Sequence, residues 1–72
     1  MNINELLQPG QTLRIFYQER NPNNRTVHIR GIVDEDYIAF RSWSKRKGWV
    51  YEIVQRGYFE LRFEDGHLQR AK

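Results

Sequence analysis

Polar and apolar residues alternate along most of this chain, and no other feature restricts its fold as strongly. Thr12–Gln18 sets Leu13, Ile15 and Tyr17 against Thr12, Arg14 and Gln18, with Phe16 on the polar side. A period of two gives a strand one apolar and one polar face. The same alternation predicts strands over about Thr26–Val33, Tyr37–Trp43, Trp49–Gln55 and Tyr58–Phe63, with a short edge strand at His67–Arg70. Turn formers separate them: Pro9-Gly10, the loop Glu19–Arg25, Asp34–Asp36, Arg56-Gly57 and Glu64-Asp65-Gly66. Before them, Ile3–Leu7 is expected to make one helical turn, with Asn2 and Glu5 at capping-box spacing.

Because the turns are short, register follows from parity. A loop over Ser44–Gly48 sets Ser42 opposite Val50, Phe40 opposite Glu52, Ile38 opposite Val54 and Trp43 opposite Trp49. A two-residue hairpin at Arg56-Gly57 sets Val54, Glu52 and Val50 against Phe59, Leu61 and Phe63. An even-length loop that includes Asp34–Asp36 sets Val33, Gly31 and Ile29 against Ile38, Phe40 and Ser42. All three turns assign one inner face: Val27, Ile29, Val33, Ile38, Phe40, Val50, Val54, Phe59, Leu61 and Phe63. Slipping one residue would exchange the faces of a strand, so this agreement is informative. Glu52 is the misfit there and is expected at a rim or paired with an arginine.

Five short strands with one apolar face close most economically as a small barrel or a strongly bent sheet, which removes exposed edges. The run Leu7-Gln-Pro-Gly-Gln-Thr-Leu13 resembles the entry to an SH3-like barrel. Arg30-Gly31-Ile32-Val33-Asp34, followed by Tyr37-Ile38-Ala39-Phe40-Arg41, is similar to the second and third strands of KOW, Tudor and Sm-type domains. The resemblance covers Leu7 to Phe63 as a pattern and implies an all-β, five-stranded antiparallel SH3-like fold. It carries no family signature and therefore no site residues.

Size sets the next limit. Seventy-two residues make one domain that buries only about 60% of its unfolded surface, so a dimer is a natural route to extra stability. With no cysteine, neither disulfides nor thiolate–zinc sites are available, which fits a reducing cytosol, the expected compartment. Met1–Gln8 has neither the basic start nor the apolar run of a signal peptide, and no window suits a membrane span.

Nine of the twelve basic residues are arginine, ten residues are aromatic, and the net charge is +3. Forked guanidinium groups and planar rings suit anionic or planar partners. The register gathers many of these groups on the outer face, which holds His28, Arg30, Ile32, Ala39, Arg41, Trp43, Trp49, Tyr51, Ile53, Glu60 and Arg62. Trp43 and Trp49 pair beside the basic tip Lys45-Arg46-Lys47, Tyr51 lies between Arg41 and Arg62, and Arg30 stands opposite Arg41. Like charges directly opposed on a sheet repel, so that pair invites an anion, a carboxylate neighbour or splaying apart.

Two function classes follow. The more specific is single-stranded RNA or DNA binding, with bases on Trp43, Trp49 or Tyr51 and phosphates on Arg30, Arg41, Arg62, Lys45, Arg46 and Lys47. The other uses the same face for a protein partner or a homodimer. Catalysis has little support: His28 and His67 lack metal-ligand spacing, and no glycine-rich phosphate loop exists. The acidic runs Asp34–Asp36 and Glu64-Asp65 read as turn chemistry. A metal-free ribonuclease using Arg, His and Glu52 is the one catalytic option left, and no spacing singles it out. The expectation is a non-enzymatic binding module with no cofactor and no metal.

Overall fold

A computed structural model describes residues 2–16 and 25–71 of the protein. The expected strand end at Tyr17-Gln18 and loop residues 19–24 lie outside the described residues. The order of elements is α1 (Ile3–Leu6), β1 (Thr12–Ile15), β2 (Arg25–Asp34), β3 (Tyr37–Ser44), β4 (Gly48–Gln55), α2 (Arg56–Glu64) and β5 (Leu68–Arg70). The strands form one antiparallel sheet in the order β4-β3-β2-β1-β5. Five strands and one sheet match the expectation. The sheet stays open, with β4 and β5 at its two edges.

At the N-terminus the helical turn forms as the sequence suggests, and the Asn2 side-chain oxygen accepts from the Glu5 N–H at 3.2 Å. Its Leu6, with Leu7, is buried against the inner face of the sheet. From the sheet come Leu13, Ile15, Val27, Ile29, Ile38, Phe40 and Leu68, and from α2 comes Phe59. The Phe40 and Phe59 rings meet edge to face at 5.7 Å, a preferred aromatic geometry. One face of the sheet is thus covered by two helices.

The expected strand Tyr58–Phe63 is α2 instead, and the proposed pairs of Val54, Glu52 and Val50 with Phe59, Leu61 and Phe63 do not form. The local reason is visible at Arg56-Gly57. A two-residue hairpin needs positive φ at one or both central residues, and neither residue has it. Helical spacing has its own partners here. Arg56 Nε meets Glu60 Oε2 at 3.2 Å, and the Arg62 guanidinium lies 5.2 Å from the Tyr58 ring centroid, both across i,i+4. Gly66, at φ +76°, ends the helix: its N–H reaches the Phe63 carbonyl, and the His67 N–H reaches that of Arg62. That is a Schellman stop, which favours glycine in the left-handed region. Leu61, expected in the core, is 55% exposed on the outer side of the helix.

The β3–β4 pairing matches in every predicted pair, including Phe40 with Glu52 and Trp43 with Trp49. Glu52, the inward-facing carboxylate, is paired with Arg25. The β2–β3 pairing differs. Asp34 pairs with Tyr37, then Ile32 with Ile38, Gly31 with Ala39, Ile29 with Phe40 and His28 with Arg41. Two bulges on β2, at Val33 and Arg30, each add one residue and together shift the register by two. The total is even, so Val27 and Ile29 keep the inner face although their partners change. Val33 loses its expected core place and is 58% exposed. Gly31, between the bulges, has φ +156°, a conformation side chains rarely adopt.

Candidate nucleic-acid interface

The outer face of the sheet is left open by both helices, and its site is built from β2, β3 and β4 outward. In the β3–β4 hairpin, positions alternate in and out, so Trp49, Tyr51 and Ile53 all face outward and are exposed. Trp43 and Trp49 are direct cross-strand partners, and their rings meet edge to face at 5.3 Å. Trp43 is 62% exposed and Trp49 41%. The difference has a cause. The Arg41 guanidinium lies 4.1 Å from the Trp49 ring centroid, and the His28 ring meets Trp49 at 5.4 Å. Trp49 is therefore held on several sides, whereas Trp43 presents a ring to solvent.

Two register positions further from the tip, a line of side chains crosses the sheet. Tyr51 pairs with Arg41, Arg41 with His28, and His28 with Thr12. Thr12 Oγ1 and His28 Nδ1 are 3.2 Å apart, within hydrogen-bond distance. Arg30 joins this line from the bulge, with its guanidinium 4.9 Å from the Tyr51 ring centroid. Two cation–ring contacts, Arg41 on Trp49 and Arg30 on Tyr51, thus run side by side on one face. Such contacts are worth roughly 0.5–1 kcal/mol each when exposed and also hold the guanidinium planes in place.

Neither Arg30 nor Arg41 has a carboxylate in ion-pair distance among the described residues, where the ion pairs are Arg25–Glu52 and Arg56–Glu60. The first lies on the inner side and the second on α2. Gly10, Thr12, His28, Ile29, Arg30, Arg41 and Tyr51 line an open recess of about 450 Å³.

The sequence-predicted residues divide cleanly. Arg30, Arg41, Trp43, Trp49 and Tyr51 come together on the outer face. Lys45, Arg46 and Lys47 form the exposed hairpin end beside the tryptophan pair, where Ser44 Oγ accepts from the N–H groups of Arg46 and Lys47, each at 3.2 Å. Arg62 does not join them. It belongs to α2, against Tyr58, so Tyr51 is not flanked by Arg41 and Arg62 as expected, and Glu60 also leaves this face. Arg30 is not directly opposite Arg41, because the bulge gives that place to His28. Thr12 and Gly10 were not among the sequence-derived candidates. The long loop before β2 leaves the parity of the β1–β2 pair undetermined, so no local signal placed Thr12 beside His28.

Among the described residues, no group of three or more His, Asp or Glu side chains is placed to hold a metal ion, and no helix is long and apolar enough to cross a membrane. No family model, curated protein or solved structure matches the chain.

Proposed function

We propose that the protein is a non-enzymatic binding module for single-stranded nucleic acid, using the outer face of its sheet. One observation carries the reading: Arg30 and Arg41 share a face with Trp43, Trp49 and Tyr51, stack on two of those rings, and have no carboxylate in ion-pair distance. Unpaired guanidinium groups beside open rings offer phosphates and bases their respective partners. Trp43 and Tyr51 serve as stacking surfaces, and Trp49 acts mainly as their support. Lys45, Arg46 and Lys47 extend the positive field past the hairpin end. The strand order, with a helix ahead of the last strand, is what an SH3-like small barrel in an open form would give.

A second reading has its own support. β4 is an edge strand, eight residues long without proline, and its outward row is Trp49, Tyr51 and Ile53. A long apolar edge is a template for pairing with another chain, which would make the same region a protein-interaction or homodimer surface.

Tryptophan-fluorescence titration with a short single-stranded oligonucleotide over a range of salt, with mass measured in solution, separates the two. The nucleic-acid reading expects log K to fall linearly with log salt, by about 0.7 per phosphate contacted. It also expects Arg41→Ala to lower the slope by about one contact. A dimer that binds no oligonucleotide at low salt would sink this reading in favour of the second.

A further inference from the structure

The recess beside Tyr51 has a composition that the ring row alone does not require. Its lining residues include Arg30, Arg41, Thr12 and His28, the last two within hydrogen-bond distance of each other, and no Asp or Glu. The Pro9-Gly10 turn walls it on the β1 side. That turn is fixed to β2 by two backbone bonds, Gly10 N–H to the Ile29 carbonyl at 3.0 Å and Ile29 N–H to the Gln11 carbonyl at 2.8 Å. Arg30 lines the recess from the bulge in β2. Bulges commonly re-aim a side chain next to a functional site. This one moves Arg30 out of direct opposition to Arg41 while both still line the same recess.

Charge identifies the ligand. An internal phosphodiester of a strand carries one negative charge, which a single arginine fork can meet. A terminal phosphate monoester carries about −1.5 to −2 near neutral pH and three strong acceptor oxygens. Two forks with hydroxyl and imidazole groups around them match the second better than the first. We propose that the recess holds the terminal phosphate of a single strand, so that the module reads strand ends while the next bases stack on Tyr51 and Trp43. This rests on the nucleic-acid reading and adds to it a polarity and a stopping point.

The experiment compares one short oligonucleotide carrying a 5′-phosphate, a 3′-phosphate or hydroxyls at both ends, by anisotropy at fixed salt. One phosphorylated form is expected to bind about tenfold tighter than the hydroxyl-ended form, the scale of one added charge-assisted hydrogen bond. Arg30→Gln should erase that preference and also weaken hydroxyl-ended binding, because Arg30 belongs to the binding face. Thr12→Val should reduce the preference by a smaller factor, and melting curves of both variants confirm that they fold. Equal affinity for all three forms would overturn the end-reading inference while the nucleic-acid reading stands. Loss of all oligonucleotide binding would overturn both. Inorganic phosphate or a nucleoside monophosphate competing as strongly as the phosphorylated strand would also overturn it, because the recess would then serve a free small anion.

Discussion

The two faces of this sheet differ in what covers them and in how their charges are paired. The inner face buries Phe40, Ile38, Ile29, Val27, Leu13 and Ile15 beneath α1 and α2. Its one carboxylate in the hairpin, Glu52, is matched by Arg25. On the outer face, Trp43, Trp49, Tyr51 and Ile53 stay uncovered, with Arg30 and Arg41 facing no carboxylate among the described residues. Where apolar surface is covered and charge is paired, the residues hold the fold. Where rings are open and cations lack acids, stability gains little, and the proposed ligand would find its partners there. The contrast teaches that the pairing of charge, more than hydrophobicity, sets the two faces of this sheet apart, and the proposed function rests on that difference.

The largest expected effect lies inside. Phe40→Ala should cost about 3–5 kcal/mol, enough to leave a domain of this size largely unfolded. Loss of the cooperative thermal transition by circular dichroism would show it. A midpoint within a degree or two of the parent would break the comparison, because the inner face would then not be the core. Next comes Trp43→Ala, which should weaken oligonucleotide binding by about 1–3 kcal/mol, the scale of one base stacked on a ring. Its unfolding free energy should move by less than about 1 kcal/mol. A variant that instead unfolds would make the outer face structural.

A smaller effect sharpens the boundary between the faces. Gly66→Ala should destabilise by about 1–2 kcal/mol in urea unfolding, since an alanine at φ +76° is strained. An unchanged unfolding midpoint would argue against the Schellman stop. Leu61→Ala should be the mildest change, within about 0.5 kcal/mol, because that side chain is exposed. Were it to cost as much as Phe40→Ala, residues 58–63 would be the inward strand that alternation alone suggests.

The same contrast explains what could be read from the chain. The β3–β4 hairpin was legible pair by pair, because an odd loop fixes parity and both strands run without a bulge. The candidate residues on it, Arg41, Trp43, Trp49 and Tyr51, were legible for the same reason. β2 was legible in its faces and not in its partners: Arg30 and Val33 each insert an extra residue, and a bulge leaves little trace in alternation. Residues 56–64 fit both periods, since Phe59 and Phe63 repeat at two and at four. What decides between them is whether Arg56-Gly57 is a hairpin and Gly66 an ordinary turn. The structure gives the first to a helix start and the second to its stop. Arg62 was misplaced with that segment, which is why it belongs to α2 and not to the platform.

The most direct test of the central claim maps where a strand binds, by amide and indole chemical shifts during titration with a short single-stranded oligonucleotide. If the outer face binds the strand, the indole N–H signals of Trp43 and Trp49 and the amides around His28, Arg30, Arg41 and Tyr51 shift together, with the core and the exposed side of α2 unchanged. Shifts confined to α2 or β5, or none at all at low salt, would contradict it.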